Sequence, residues 1–353
     1  MTVVHVVGTG TIGEPLIGLL CDYRKRIGID EVTFYKHSPV LTDRPKINGL
    51  LKRGGVLAVR DEKVDEFRKL DMEPTYTAEE AIKRADVVID CTPKGCGLEN
   101  KERFYRKYED RVKAFLAQGS EFGFGKPFAV GINDEAMRDD KYVQIVSCNT
   151  HNIAVAIKCF GMEGGKNPDN FVTGRFVCIR RATDISQEKK FIPAPEVNEH
   201  KDGKFGTHHA RDVWYLYNTM GHDLDVFSSA LKVNSQYMHS IWFDIKVKNP
   251  TTAEEVIQHC RDDPRVAVTY KKHANLIFSF GRDHGHYGRI LNQTVISIPT
   301  IGIRGDSEVF GFCFTPQDGN SILSSVSAVI GILYPEEYRE RIRVLDELLF
   351  DEV

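Results

Sequence analysis

The first part of the chain alternates short, almost wholly apolar runs with longer stretches in which apolar residues recur at helical spacing. Val3–Val7 reads as a first strand, Glu14–Arg26 as the helix after it and Glu31–Tyr35 as a second strand. Further strands are predicted at Ala85–Asp90, Lys113–Ala117, Phe128–Gly131 and Tyr142–Val146. Runs such as Val87-Val88-Ile89 suit strands covered on both faces, the condition of a parallel sheet with crossover helices. Beyond residue 148 the texture changes. Phe171–Arg181, Leu224–Val233, Tyr237–Val247 and Ala274–Ser279 are longer and partly alternating, which predicts an antiparallel or mixed sheet with helices on one side. Thr251–Arg261 is predicted helical, as is the apolar stretch Asn320–Leu333, expected to pack back on the first domain. Glu336–Phe350 reads as a charged, amphipathic helix facing solvent.

A chain of 353 residues is long for one core, so two domains are expected. The first is an α/β parallel sheet over 1–147, joined by C-terminal helices from about residue 316 to 353. The second is an α+β domain over 148–315. A formal charge of −3 gives no electrostatic case for nucleic acid or membrane as partner. No apolar run approaches the ~20 residues of a membrane span. Met1-Thr2-Val3-Val4-His5 lacks the basic and apolar regions of a signal peptide, so a cytoplasmic protein is expected. The eight cysteines (Cys21, Cys91, Cys96, Cys148, Cys159, Cys178, Cys260, Cys313) are scattered, with no Cys-x-x-Cys, which argues against a zinc ribbon or a disulfide framework. His284-Gly285-His286 and His259-Cys260 lack further ligands, and no metal is expected.

The first strand runs into Gly8-Thr9-Gly10-Thr11-Ile12-Gly13 and then a helix, the context in which Gly-x-Gly-x-x-Gly binds a dinucleotide. Gly8 would permit the turn, Gly10 the approach of a pyrophosphate and Gly13 the close packing of helix on strand. A tight turn without a ligand is the plainer alternative. This predicts a Rossmann-type nucleotide domain. At the end of the second strand, where Asp or Glu would hold a ribose 2′-hydroxyl, stands Lys36-His37-Ser38. A cation there favours NADP, with NAD the alternative and a solvated surface lysine the bland reading. Asp90-Cys91-Thr92-Pro93-Lys94-Gly95 and Ala117-Gln118-Gly119-Ser120 close later strands on the same edge and should border the cofactor.

Tyr142–Val146 ends in Ser147-Cys148-Asn149-Thr150, with a helix expected over His151–Phe160. A thiol at a strand-to-helix junction lies where a helix N-terminus favours the thiolate and lowers the pKa. Cys148 is therefore the candidate nucleophile, with its own N–H and the Asn149 amide as oxyanion donors. A buried structural cysteine is the alternative, and the other seven are read that way.

These pieces, together with Arg180-Arg181, His208-His209 and Met238-His239 in the same order, resemble the archaeal-type (type II) glyceraldehyde-3-phosphate dehydrogenases over nearly the whole chain. The resemblance implies that Cys148 is the nucleophile and that His239 is a general base, or orients the hemithioacetal. It places Thr11, Ile12, Lys36, Thr92, Pro93 and Gly119 on the cofactor, with Arg181 and Gln317 near its nicotinamide end. It sets Ser147, Asn149, Thr150, Arg180, His208 and His209 around the substrate, and it implies a homotetramer. Without that order, His208-His209 reads as a loop pair and Arg180-Arg181 as ion-pair partners.

The chain departs from the family at His151 and Asn152, where small residues are expected, at Ala210-Arg211-Asp212, at Ile241 and at Ser120. The loop Tyr35–Gly54 also reads as drawn out. Arg211 adds a cation suited to a carboxylate or phosphate. The expected activity is an NADP-preferring, phosphorylating aldehyde dehydrogenase acting on glyceraldehyde 3-phosphate and its acyl phosphate. A coenzyme A-dependent semialdehyde dehydrogenase (malonyl-CoA or succinyl-CoA reductase) is the second reading, and a nucleotide or redox sensor without turnover the third.

Overall fold

The computed structural model describes residues 1–119, 121–137, 140–183 and 192–353, so Ser120 lies outside the described residues. The chain divides into two compact units. One comprises Met1–Phe128, Glu135–Ile145 and Ser324–Leu345, the other Ala129–Asp134, Val146–Leu323 and Asp346–Val353.

In the first unit, strands β1 (Val3–Val7), β2 (Glu31–Tyr35), β3 (Gly55–Val59), β4 (Tyr76–Thr77), β5 (Val87–Asp90), β6 (Ala114–Gln118), β7 (Lys126–Phe128) and β8 (Tyr142–Ile145) form one sheet. Their order is β4-β3-β2-β1-β5-β6-β8-β7, and every pair is parallel. Helices α1 (Gly13–Ile27), α2 (Arg44–Lys52), α3 (Val64–Arg68), α4 (Ala78–Arg84) and α5 (Cys96–Arg103) make the connections. From β1 the chain steps outward to β4 and then crosses back to β5, so the strand order reverses between β1 and β5. A parallel sheet of this kind binds ligands at that point, beyond the C-terminal strand ends. Wholly buried strands such as β1, β5 and β6 match the unbroken apolar runs that predict them.

The second unit contains α6 (Cys148–Ala156), β9 (Phe171–Arg180), β10 (Glu196–Val197), α7 (His208–Asn218), β11 (Val226–Lys232), β12 (His239–Val247), α8 (Ala253–Arg261), β13 (Val266–Thr269), α9 (Ala274–His284), β14 (Thr294–Ser297), β15 (Gly302–Arg304), β16 (Glu308–Thr315) and the start of α10 (Gly319–Leu333). The sheet is mixed, in the order β10-β11-β9-β12-β16-β14-β13, with β15 on β16. Alternation in β12 sends Ile241, Phe243 and Ile245 into a core shared with α6, α7 and α8, where Phe243 stacks on Phe160 with centroids 4.7 Å apart. On the other face Val177, Trp242 and Phe312 stand in register across β9, β12 and β16, and Phe310 and Phe312 are each 36% exposed.

Four expectations are corrected. Ala274–Ser279 is the start of helix α9, not a strand. Its buried positions are Ile277 and Gly281, a step of four, while Leu276 is exposed, and six residues are too few to show that period. Glu336–Phe350 is not one helix. After Pro335 it makes a turn of α-helix at Tyr338–Arg341 and a 3-10 segment at Ile342–Leu348, the spacing of three between buried Ile342 and Leu345 being that of a 3-10 turn. The predicted strand Phe128–Gly131 lies instead at Lys126–Phe128, because the Asn133 and Asp134 side chains take the N–H groups of Ala129 and Gly131 and turn the chain. The drawn-out loop Tyr35–Gly54 contains α2, started by a proline at its first turn.

Candidate active site

In the first unit, the three glycines have distinct surroundings. Gly8 has φ +104°, and a Cβ there would lie 3.0 Å from the Cys91 carbonyl oxygen. At Gly13 a Cβ would lie 2.1 Å from the Gly8 carbonyl oxygen, so α1 packs on its own loop with no room for a side chain. Gly10 has no neighbour within 4 Å of that position. No side chain caps α1 at Ile12. An open glycine between two crowded ones, before an uncapped helix start, fits a pyrophosphate. Beside this loop the buried Asp90 carboxylate accepts from the Thr92 N–H at 2.9 Å and from the Thr92 hydroxyl, and its other oxygen accepts from Asn100 at 2.8 Å. The Thr92–Pro93 turn is thereby fixed. Gly119, at φ +72°, donates its N–H to Ile145 at 2.9 Å. Lys36 forms an ion pair with Asp43 at 2.7 Å, and Lys46 reaches the same carboxylate at 2.9 Å. Two cations share one anion there. Burial opposes ionisation of Asp43, but the two lysines hold its carboxyl below the usual range.

In the second unit, Ser147 caps α6 in extended conformation. Its oxygen accepts from the Thr150 N–H at 3.4 Å and lies 2.8 Å from the Thr150 hydroxyl. Thr150 is wholly buried in this cap. Cys148 is thus the first residue of the helix, and its carbonyl accepts from Asn320 Nδ2 at 2.9 Å. The expected low thiol pKa is not found. Burial pushes the Cys148 thiol up to about 11, and the Asp318 charge adds to this against the opposing charges of Arg181 and Arg180. Desolvation outweighs the helix end because it acts on the whole charge of the thiolate, whereas the helix end offers only a partial one.

Asn149 is buried and held by two directed bonds. Its Oδ1 accepts from the Thr315 hydroxyl at 3.0 Å, and its Nδ2 lies 3.3 Å from His209 Nε2. An amide nitrogen only donates, so His209 Nε2 is the acceptor and Nδ1 carries the proton, given to Thr207 Oγ1 at 3.0 Å. Thr207 in turn meets Ser228 at 2.7 Å. Thr315 is itself oriented by Asn152, whose Nδ2 donates to its oxygen at 2.8 Å, while Asn152 Oδ1 accepts from Thr294 at 2.7 Å and from the Cys313 thiol at 3.0 Å. Asn152, noticed in the sequence only for its bulk, is the root of this chain of bonds. Thr315, Thr207, Ser228 and Asn320 carry no sequence signal and were missed.

His239 opens β12 opposite Thr315. Its Nδ1 accepts the Arg181 backbone N–H at 3.0 Å, which leaves Nε2 as the protonated nitrogen of the neutral ring. Burial, and then the charges of Arg181 and Arg180, hold its pKa well below the ordinary range. His209 is lowered in the same sense, by burial first and then by the neighbouring His208 and Arg180. Arg180 bears on Cys148, His209 and His239 alike. Arg181 is almost wholly buried and donates through Nη1 to Gln317 Oε1, and Gln317 donates to the Tyr237 carbonyl at 3.0 Å. The pair His208-His209 begins helix α7 rather than lying in a loop, with ring centroids 4.0 Å apart. Arg211 turns to its neighbour, bonding Asp212 Oδ1 at 3.1 and 2.8 Å.

No family model matches the chain. It is similar along most of its length to curated archaeal proteins named glyceraldehyde-3-phosphate dehydrogenase. That of Pyrobaculum islandicum is 26% identical over 350 residues, 94% of this chain and 93% of its own length. That of Methanobacterium formicicum is 28% identical over 355 residues, 96% and 95% of the two chains, and that of Metallosphaera sedula 28% over 289 residues, 79% of each.

Proposed function

We propose that this relative of the archaeal glyceraldehyde-3-phosphate dehydrogenases is a phosphorylating aldehyde dehydrogenase that prefers NADP and carries its acyl group on Cys148. The observation that carries the reading is the set of directed hydrogen bonds around Cys148. It leaves the second Asn149 Nδ2 hydrogen and the His239 Nε2–H as donors in a buried, cationic site.

The thiol passes its proton to water as the sulfur adds to the aldehyde carbon, and the cations of Arg180 and Arg181 favour the passing thiolate. The carbonyl oxygen becomes an alkoxide, for which Asn149 and His239 supply N–H groups. When bound, the nicotinamide supplies the acceptor for the hydride. An alkoxide held in this way releases the hydride and closes to a thioester without a base. His239 therefore acts by orienting and stabilising the hemithioacetal, not by withdrawing a proton. Inorganic phosphate then takes the acyl group from Cys148; the sulfur leaves as the thiolate and regains a proton from water to restore the thiol. Gly8, Gly10 and Gly13 hold the pyrophosphate, and the Lys36, Lys46 and Asp43 group, with one net positive charge, meets the 2′-phosphate. The apolar row Val177, Trp242 and Phe312 is the face that a second copy of the chain covers in a homo-oligomer.

The test is NADPH oxidation by the purified protein with 1,3-bisphosphoglycerate, malonyl-CoA and succinyl-CoA, each repeated with NADH. Turnover with the acyl phosphate is expected. Turnover only with an acyl-CoA would make the enzyme a semialdehyde dehydrogenase, with His151 and Asn152 as determinants of specificity. No turnover with any of them would leave a sensor.

A further inference from the structure

In the first unit a crevice of about 690 Å³ lies on one face of the parallel sheet, lined by residues of β1, β2, α4 and α5. That is the size of a small-molecule site rather than of a packing fault. The charged side chains that line it, Arg60, Glu79, Glu99, Arg103 and Lys107, are all exposed and stand at its rim. Inside, Val7, Ile82 and Tyr105 are buried and make the walls apolar or aromatic. The polar groups along these walls are bonded within the protein. Asn100 Nδ2 donates to Asp90 at 2.8 Å, the Tyr105 hydroxyl donates to the same carboxylate, and the Tyr108 hydroxyl donates to Glu79 at 3.0 Å.

His5 differs from these. It lines the crevice from the middle of β1 and is wholly buried. Its Nδ1 lies 2.7 Å from the hydroxyl of Thr33 on β2, and among the described residues it is that hydroxyl's one partner. A buried hydroxyl with a single partner directs its hydrogen there, so Thr33 donates to Nδ1 and the ring hydrogen is on Nε2. Burial pushes the His5 pKa down to about 3, so the ring is neutral near pH 7. Nε2, on the side of the ring away from Thr33, is buried and has no partner. A buried donor without an acceptor is costly and rare in a native fold.

Two observations set the crevice apart from the place of the dinucleotide. Neither Gly8–Gly13 nor Lys36 lines it. His5 also stands in mid-strand, whereas a dinucleotide crosses a parallel sheet beyond the strand ends. The two sites meet only at Thr92 and Pro93.

We propose that this crevice is a second small-molecule site, which takes an uncharged aromatic ring system with its faces against the apolar walls and one acceptor atom on His5 Nε2–H. A charged end would lose its hydration at this neutral floor, so the inner end of the ligand carries no charge. The inference is independent of the aldehyde chemistry.

The probes are quinoline, uncharged at neutral pH with one acceptor nitrogen, and naphthalene, the same shape without it. Each is titrated into the full chain carrying nitrogen-labelled histidine, and NMR of the imidazole nitrogens reads binding. Quinoline should bind, shift the His5 Nε2 resonance, and bind up to about tenfold more tightly than naphthalene, the worth of one hydrogen bond. His5→Phe combined with Thr33→Val removes both members of the buried pair and should abolish that advantage. Ile82→Trp, which fills the crevice and leaves the pair in place, should weaken both probes about tenfold or more, and serves if the double variant does not fold. Equal binding of the two probes, or quinoline binding unchanged in the variants, would overturn the inference. Full displacement of quinoline by NADP would overturn it too, since the crevice would then belong to the dinucleotide.

Discussion

Replacing Thr315 by valine keeps the shape of a buried side chain and deletes one hydroxyl. That hydroxyl receives a hydrogen bond from Asn152 at 2.8 Å and gives one to Asn149 at 3.0 Å. Two buried polar groups lose their partner, at about 1–3 kcal/mol each, so a loss of about 2–4 kcal/mol in stability is expected after relaxation. The catalytic effect is separate. Deleting an oxyanion donor outright costs about 10²–10³ in kcat, which is the expectation for Asn149→Ala. In Thr315→Val the donor remains and His209 still holds one of its hydrogens, but Oδ1 is no longer fixed. A looser amide should cost about 1.4 kcal/mol, or about tenfold. The assay is a double-mutant cycle on kcat for NADP reduction with the preferred aldehyde. Because Thr315 acts on the reaction only through Asn149, Thr315→Val added to Asn149→Ala should lower kcat by no more than about twofold. A further tenfold loss in the double variant would refute the relay and make Thr315 a merely structural residue.

Other outcomes follow from the same geometry. The thiol of Cys148 is neutral at pH 7 because its pKa lies near 11, so alkylation of the free enzyme by iodoacetamide should quicken with pH up to about that value, and Cys148→Ser should abolish turnover. His239 stays neutral through the range where an ordinary histidine titrates, since its pKa is shifted downward; kcat should show no limb near pH 6.5, and a limb there assigned to His239 would contradict the bond from Arg181. Lys36→Ala should cut the preference for NADP over NAD by about ten- to a hundredfold, the worth of a charged hydrogen bond, whereas Asp43→Asn should raise it; both are read as the ratio of the two kcat/KM values. Phe312→Asp places a charge in the apolar row of the second sheet and should lower the molecular mass measured by sedimentation.

The parallel sheet of the first unit was legible because strands buried on both faces leave short apolar runs bounded by turn residues. The two-residue strand β4 left none, and β3, Gly55–Val59, starts with a glycine that hides it behind the preceding helix. In the second unit the alternating strands β9, β11 and β12 were readable. The short, fully buried β13 and β14 were not, since four apolar or small residues carry no period. Cys148 and Asn149 stood out by their place between strand and helix. The groups that aim them lie elsewhere in the chain: Thr315 is 166 residues from Asn149, and its hydroxyl looks in sequence like any other threonine in a strand. The thiol pKa was misjudged for a related reason. The helix end is a local property, visible in four residues, but burial depends on everything folded around them.

The bond from the Arg181 main chain to His239 has an evolutionary corollary. The tautomer of the imidazole is set by a peptide N–H rather than by a neighbouring side chain. Almost any residue at position 181 presents that same group, so drift in the arginine can alter the charge felt by Cys148 while leaving the histidine's tautomer untouched. Proline is the exception, having no N–H to offer. The charge beside the thiol and the placement of the imidazole proton are thereby inherited separately, one in a side chain and the other in the backbone, although both meet at a single residue.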